Sequence, residues 1–338
     1  MTSLLTVVSA VALPWLGMNL LHGLWVGVRR RVWERRFARR PDGLLPDAAP
    51  FRLGNGSAAL LFIHGFADTP RLWRRAAERL AANRAVTCRA MRLPGCAEPP
   101  ATAGRASLPL WRAQVDGELA RLRKTHGTVW VVGHSLGGAL ALDAALRLPG
   151  QVDGVAVMAP LIAVSRKRCP LLPPGAGFAV ARRVLGLSPV FESPFSTAIV
   201  AEDDPSFTYL RDRFIPFSAY AALFQLVRAN RGRAADLACP VFAVLAGRDS
   251  VVDSAAARRW LAACPGPKDI RERPEAGHVI PLASGWEGVF DDLVGFMRSH
   301  GEAGGGREAP PAVRVGGRFL AREDARTRPR VNARAGTG

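Results

Sequence analysis

The stretch Thr128–Leu142 reads TVWVVGHSLGGALAL, and it decides the fold. Its first five residues are mostly apolar and β-branched, which predicts a strand that is buried on both faces. Gly133-His134-Ser135-Leu136-Gly137 follows, and then a run of small and apolar residues that predicts a helix. A Gly-x-Ser-x-Gly pattern between a strand and a helix is typical of a nucleophile elbow, whose sharp turn favours glycine. We therefore expect Ser135 to project from the carboxyl end of the strand, over a helix N-terminus that favours negative charge.

The alternation of strands and helices extends this prediction to most of the chain. Strands are predicted at residues 58–63, 85–90, 154–158, 241–246 and 269–273, with helical segments between them. This pattern predicts an α/β fold with a doubly wound, mostly parallel sheet. Ligands bind such sheets beyond the carboxyl ends of the strands, which is where Ser135 is expected.

One segment breaks the alternation. Ala159–Asp236 is rich in proline, and its strongest helical pattern is Ser218–Ala229. Seven of the chain's fifteen phenylalanines and both tyrosines lie between Phe178 and Phe224. Such an insertion, at about 160–235, is typical of a lid over an apolar pocket. The aromatic residues could equally form a small core of the insertion itself, and both interpretations stay open.

The N-terminal segment predicts an association with a membrane. Leu4–Val28 carries no charge, and a helix of this length can span a bilayer. Pro14, Asn19 and His22 weaken this prediction, and residues 10–12 resemble a signal-peptide cleavage site. No basic residue precedes the apolar run, however, and the run continues past residue 12. We favour a signal anchor over a peripheral amphipathic anchor, with the arginine-rich flank on the cytoplasmic side.

These features divide the chain into predicted regions. Residues 1–40 form the transmembrane or signal-anchor helix with its basic flank, and residues 41–50 form a linker rich in Pro, Asp and Gly. Residues 51–300 form the α/β domain, and residues 301–338 form a disordered Arg- and Gly-rich tail.

The charge of the chain is strongly positive but unevenly distributed. The net charge is +18, and lysine accounts for only three of the 46 basic residues. Seven arginines lie between Arg29 and Arg40, and eight lie in the tail. No aromatic residues interleave with a basic stripe in the middle of the chain, so we expect no nucleic-acid partner. The negative charge of a membrane surface explains the arginine cluster at Arg29–Arg40 better than a nucleic acid does.

The cysteines predict neither a metal site nor a disulfide framework. Five is an odd number, and the spacing contains no Cys-x-x-Cys pair. We therefore expect reduced thiols, and no metal ion or other cofactor is implied. The cysteines are Cys88, Cys96, Cys169, Cys239 and Cys264.

Three residues predict a catalytic triad. A serine hydroxyl such as that of Ser135 needs a base at neutral pH. His278 lies in a Gly-flanked loop after the last predicted strand, where a base can reach the elbow. Asp249 directly follows the strand at 241–246 and would orient this histidine. Asp253 is the rival carboxylate, but its position predicts a helix cap. The order Ser, Asp, His is the order of α/β-hydrolase triads.

Two backbone N–H groups are candidates for an oxyanion hole. Leu136 follows the nucleophile, and Phe66 lies in the loop after the strand at 58–63. His64 in the same loop could brace the loop or act in catalysis, and its position favours bracing.

Four motifs together carry a resemblance to a known family: LFIHGF at 61–66, GHSLGG at 133–138, GRD at 247–249 and GHVI at 277–280. Between Ala58 and His300 the chain resembles the α/β-hydrolase superfamily, and within it bacterial carboxylesterases and monoacylglycerol lipases. The resemblance implies the α/β-hydrolase fold, a Ser135, Asp249 and His278 triad, and an oxyanion hole at Phe66 and Leu136. The N-terminal span and the arginine-rich tail depart from the family.

We therefore expect a serine hydrolase that cleaves carboxylic esters of apolar acyl groups, including lipid esters, through an acyl-enzyme intermediate. A thioesterase, acyltransferase or peptidase of the same superfamily is the alternative, and a non-catalytic binding module is a third. We expect the protein to be anchored in a bacterial inner membrane, with the catalytic domain in the cytoplasm.

Overall fold

The computed structural model describes residues 2–82, 86–168, 171–188 and 190–301. Within these ranges the chain forms eleven strands and nine α-helices. The strands are β1 (Phe51–Leu53), β2 (Ala58–Ile63), β3 (Val86–Met91), β4 (Thr128–His134), β5 (Gly154–Met158), β6 (Val190–Glu192), β7 (Ala198–Val200), β8 (Thr208–Leu210), β9 (Phe214–Pro216), β10 (Val241–Ala246) and β11 (Lys268–Arg273). The helices are α1 (Thr2–Arg36), α2 (Arg74–Ala82), α3 (Pro100–Ala103), α4 (Leu108–Arg123), α5 (Leu136–Arg147), α6 (Pro174–Val184), α7 (Phe217–Asn230), α8 (Ser254–Ala262) and α9 (Trp286–Gly301).

Seven strands form the central sheet, in the order β1-β3-β2-β4-β5-β10-β11. β1 runs antiparallel to β3, and all other neighbours are parallel. The predicted mostly parallel sheet is confirmed, whereas the edge strand β1 was not predicted. In β4, every residue from Val129 to His134 is buried, because helices cover a parallel sheet on both faces.

The register of the sheet brings the ends of several strands to one edge. Ile63, the last residue of β2, pairs with Gly133 of β4. His134 pairs with Met158, the last residue of β5, and Met158 pairs with Val244 of β10. The loops that follow these strands therefore lie side by side.

The segment between β5 and β10, residues 159–236, forms a layer separate from the central sheet, and we call it the cap. Two short antiparallel pairs, β6 with β9 and β7 with β8, lie apart from the central sheet. α6 contacts α7, and α7 contacts α5 of the main domain. α7 includes the predicted helical pattern at 218–229 and joins the cap to the helix that follows Ser135.

One stripe of α1 faces the protein. Asn19, Val26 and Trp33 are 2%, 2% and 7% exposed, and they are seven residues apart. This spacing places side chains on one side of a helix. Ala10–Arg36 is long and apolar enough to cross a membrane: its 18-residue apolar window has a mean hydropathy of 1.3, and only 11% of that window is buried.

Polar side chains on this stripe bind the cap. The Asn19 side chain donates to the carbonyl of Val184 at 2.8 Å and accepts from the N–H of Leu187 at 3.0 Å. The His22 ring is hydrogen-bonded to the Ser188 hydroxyl at 3.0 Å. Two of the three residues that weaken the prediction of a membrane span, Asn19 and His22, therefore have partners in the cap.

The segment 41–50, predicted as a linker, lies against the domain. Leu45 and Ala48 are fully buried, and they pack with Trp33 and Ala97. Cys169 lies outside the described residues, and so does the part of the predicted tail after residue 301. The other cysteines are free thiols: Cys88, Cys96, Cys239 and Cys264.

The core leaves no room beside the Trp130 ring. Trp130 on β4 is fully buried, and an added Cβ at Gly154 on β5 would lie 2.5 Å from its ring. We expect Gly154→Ala to destabilise the fold by about 1 to 3 kcal/mol, because a close-packed ring cannot move aside freely. Urea unfolding measures this change in the free energy of unfolding.

Gly117→Ala is the matched control. Gly117 lies inside α4, and an added Cβ there would meet no atom within 4 Å. Alanine in an exposed helix interior is favoured over glycine by about 0.5 to 1 kcal/mol, so this variant should be more stable. Equal effects of the two substitutions would contradict the packing at Trp130.

Candidate active site

Ser135 lies in a strained turn between β4 and α5. Its φ is +54° and its ψ is −116°, a conformation that non-glycine residues rarely adopt. At Gly133, an added Cβ would lie 2.2 Å from the backbone oxygen of Gly137. At Gly137, an added Cβ would lie 2.1 Å from the backbone oxygen of Ile63. Both positions therefore require glycine, and the predicted elbow is present. The Ser135 residue is 5% exposed.

The structure brings together the three residues of the predicted triad. The Oγ of Ser135 lies 3.0 Å from Nε2 of His278, which is in the loop after β11. Nδ1 of His278 lies 2.7 Å from Oδ2 of Asp249, which directly follows β10. The rival carboxylate of Asp253 instead accepts from the N–H of Ala256 and caps α8, as predicted.

The carboxylate of Asp249 is held in place by three donors. Its Oδ1 accepts the N–H groups of Val251 and Val252, at 2.7 and 2.9 Å, and its Oδ2 bonds His278. Burial raises the pKa of Asp249, but the hydrogen bond to His278 and the two backbone bonds outweigh burial and leave the pKa below its usual value. Asp249 is therefore ionised at neutral pH and orients Nδ1–H of His278 toward itself.

Two other histidines support the site as neutral rings. Burial lowers the pKa of His134 to about 3, and its Nε2 is hydrogen-bonded to the backbone carbonyl of His278 at 2.9 Å. Burial also lowers the pKa of His64 to about 4. The His64 ring bonds the carbonyl of Gly65 at 2.8 Å and accepts from the N–H of Leu93 at 3.0 Å. The bracing role predicted for His64 is confirmed.

Of the two predicted oxyanion donors, Leu136 follows Ser135 in the chain, and Phe66 lies in a loop that runs beside it. Leu136 is the first residue of α5, so its N–H has no acceptor within the helix. An added Cβ at Gly65 would lie 3.6 Å from the Ser135 Cβ, so the loop that carries Phe66 runs beside the nucleophile. Among the backbone hydrogen bonds of loops, turns and helix caps in the described part of the chain, the N–H groups of Phe66 and Leu136 are not donors.

The cap contacts this loop through residues that sequence reasoning missed. The N–H of Asp212 donates to the carbonyl of Ala67 at 3.0 Å, and the Arg211 guanidinium lies 3.4 Å from the carbonyl of Phe66. The Phe66 ring contacts Tyr220 of α7 edge to face, with centroids 4.9 Å apart. Burial raises the pKa of Asp212 to about 7, although its carboxyl accepts the N–H of Ala97. Only the aromatic composition of the insertion pointed to such contacts.

Residues 60–292 match the model of the alpha/beta hydrolase family. The chain belongs to this family. The hydrolase contains no group of three or more His, Cys, Asp or Glu residues that could hold a metal ion among the residues that are described.

Relatives of this hydrolase include enzymes that act on lipids. It is 25% identical over 211 residues to a thermostable monoacylglycerol lipase of Bacillus sp. strain H-257, a match that covers 62% of this chain and 77% of the lipase. It is 28% identical to the dihydrolipoyllysine-residue acetyltransferase component of an acetoin cleaving system from Pseudomonas putida, covering 73% of this chain and 65% of that protein. A structure from a study of the metagenome-derived lipolytic enzymes LipS and LipT shares the fold with a TM-score of 0.66. It is 21% identical and covers 76% of this chain and 100% of its own.

The hydrogen bond from His134 to His278 predicts a measurable effect on the reactivity of Ser135. His134→Phe keeps an aromatic ring but removes this bond, which stabilises by about 0.5 to 1.5 kcal/mol. We expect the reaction of Ser135 with a fluorophosphonate to slow by about 2- to 10-fold, because the backbone of His278 is held less firmly. The second-order rate constant of labelling measures this.

His126→Phe is the control for the loss of a buried histidine. His126 is 4% exposed and bonds Thr125 and the carbonyl of Leu122, at the end of α4. This variant should lose stability while its labelling rate stays at that of the unchanged protein. Slowing of both variants to the same extent would contradict a specific role of His134.

Proposed function

We propose that this hydrolase is a serine esterase that cleaves carboxylic esters of apolar acyl groups, with Ser135, His278 and Asp249 as its catalytic triad. The observation that carries the proposal is the unbroken hydrogen-bond chain from the Ser135 hydroxyl through the His278 ring to the Asp249 carboxylate. Asp249 fixes the tautomer in which Nε2 of His278 is free to accept a proton.

Acylation begins when the Ser135 Oγ attacks the ester carbonyl carbon. Nε2 of His278 takes the hydroxyl proton as the new C–O bond forms, and the imidazolium is stabilised by Asp249. The N–H groups of Phe66 and Leu136 stabilise the negative charge on the carbonyl oxygen. The bond to the alcohol then breaks, and His278 returns the proton to the leaving oxygen.

Deacylation repeats these steps with water. His278 removes a proton from a water molecule, whose oxygen attacks the acyl carbon, and the bond to Ser135 Oγ breaks as the proton returns to it. The products are a carboxylic acid and an alcohol. A fixed triad with preorganised oxyanion donors serves both halves of the reaction.

Aromatic side chains of the cap support an apolar acyl group as substrate. Phe178 contacts Tyr220 and Phe224, and Tyr220 contacts Phe66 in the predicted oxyanion loop. A largely apolar, aromatic lining is typical of pockets that bind apolar ligands. The similarity to a monoacylglycerol lipase supports single-chain lipid esters within this class.

Hydrolysis of nitrophenyl esters of increasing acyl chain length tests the triad and the acyl preference together. We expect Ser135→Ala to lower kcat by about a millionfold and Asp249→Asn by about ten thousandfold, because the first removes the nucleophile and the second disturbs the His278 tautomer. Chains longer than acetyl should be preferred.

Asp253→Asn is the matched control for Asp249→Asn. Asparagine caps a helix about as well as aspartate, so this variant should keep its activity. An equal loss in both variants, or activity that persists in Ser135→Ala, would contradict the proposed triad. Formation of an ester with an added alcohol, instead of free acid, would identify an acyltransferase.

We further propose that α1 holds the enzyme at a membrane, with the arginine-rich end of the helix on the cytoplasmic side. Leu21 and Leu24 are 70% and 67% exposed, on the side of α1 away from the cap. Leu187 of the cap, whose N–H bonds Asn19, is 56% exposed beside the helix. Together these side chains give the helix and the cap an apolar surface, and the arginines from Arg29 onward suit anionic lipid headgroups.

Flotation with phosphatidylcholine–phosphatidylglycerol vesicles tests this association. Full-length protein should float with the vesicles, and the double variant Leu21→Glu/Leu24→Glu should float much less, because each buried leucine contributes about 1.5 to 3 kcal/mol. Leu110→Glu is the control, since Leu110 is 40% exposed on α4. Equal flotation of the double variant and the control would contradict an anchoring role for α1.

A further inference from the structure

A cavity of about 510 Å³, largely open to solvent, lies between α1 and the cap. His22 and Trp25 of α1 line one side, and residues 191–196 of the cap line the other. Trp25 is 52% exposed, so the cavity reaches the surface at the helix that we propose to lie at the membrane. Its volume falls in the range of about 300 to 1,000 Å³ that small-molecule sites occupy.

An aromatic path connects this cavity to the predicted oxyanion loop. Phe191 lines the cavity and contacts the Tyr220 ring edge to face, with centroids 6.2 Å apart. Tyr220 contacts Phe66 with centroids 4.9 Å apart. Phe66 follows Gly65, where an added Cβ would lie 3.6 Å from the Cβ of Ser135. The rings of Phe191, Tyr220 and Phe66 therefore form a continuous row from the cavity to the loop beside the nucleophile.

Glu192 fixes the two walls of the cavity to each other. Its carboxylate accepts two hydrogen bonds from Arg29 of α1, at 2.6 and 2.8 Å, and one from Arg213 of the cap, at 2.7 Å. The hydrogen bond from Arg29 holds the pKa of Glu192 below its usual value, so the carboxylate stays charged. The membrane-facing helix and the cap are thereby held together around the cavity.

We propose that this cavity is a lipid port, through which a single-chain lipid ester passes from the bilayer to Ser135. The aromatic wall suits the acyl chain, and the polar groups of His22, Ser196 and Arg213 at the same cavity suit a hydroxylated headgroup. The port rests on the proposed esterase function, because it specifies how that enzyme obtains its substrate.

The first test compares a lipid substrate in a bilayer with a soluble one. Ser196 lines the cavity and is exposed, so Ser196→Trp narrows the port. We expect kcat/KM for monooleoylglycerol in vesicles to fall about tenfold more than kcat/KM for nitrophenyl butyrate in solution. Ser206→Trp places the same ring on an exposed turn of the cap outside the cavity lining, and it should leave this ratio unchanged. A parallel loss on both substrates in Ser196→Trp would overturn the port.

The second test detects occupancy without turnover. Full-length Ser135→Ala protein in vesicles is irradiated with a monoacylglycerol whose chain carries a diazirine, and the labelled peptides are mapped. Labelling within residues 191–196, which decreases when Ser196→Trp is added, supports the port. Labelling confined to the outward residues Leu20, Leu21 and Leu24 would overturn it.

The two tests separate the port from the proposed chemistry. If the Ser135→Ala protein is labelled within residues 191–196 but the unchanged protein hydrolyses no ester, the esterase proposal fails while the lipid site stands. If the unchanged protein hydrolyses soluble esters through Ser135 but the Ser135→Ala protein shows no labelling in the cavity, the port fails while the esterase proposal stands.

Discussion

The closeness of backbones at the turn after β4 is the constraint on which the rest of the site depends. Gly133 and Gly137 have backbone atoms so near that no side chain fits at either position, and Ser135 between them has a positive φ. Such strain persists only where the surrounding structure enforces it. Here the enforcing structure is the parallel sheet, which pairs β4 with β2 and β5. The pairing with β2 also brings the loop of Gly65 to this edge, and the pairing of β5 with β10 brings the carboxyl end of β10 there.

The parts of the fold and site that depend on local chemistry could be predicted from the sequence. Glycine spacing, buried apolar runs and the order of Ser135, Asp249 and His278 identified the elbow, the parallel strands and three side chains that the structure brings within hydrogen-bond distance. Asp253 was rejected in favour of Asp249 as the carboxylate of the triad because Asp253 precedes a helix and can cap it. These inferences need only the residue types and their position relative to a strand or helix end.

The parts that depend on pairing across long separations could not be predicted. β1 has three residues and pairs only at an edge, so it has no recognisable alternation. The contact between Asp212 and Ala67 joins two loops that no local pattern links. In α1, Asn19 and His22 suggested a poor membrane span, because the sequence alone gives no indication of their partners. The structure gives these residues partners near the end of α6, on a stripe with Val26 and Trp33.

The hydrogen bonds of Asn19 also bear on the order of events during synthesis. Asn19 and Val184 are separated by 165 residues, and ribosomes add roughly 5 to 20 residues per second, so Asn19 waits on the order of 10 to 30 seconds for this partner. During that interval its amide nitrogen can still donate to the carbonyl of Trp15 in the same helix, at 2.8 Å, but its Oδ1 lacks the N–H of Leu187, and a polar atom without a partner in apolar surroundings is unfavourable. The final position of α1 is therefore reached late, when the cap has been made. The helix therefore reaches its folded position together with the cap, and removing it would leave the carbonyl of Val184 and the N–H of Leu187 without Asn19 as their partner.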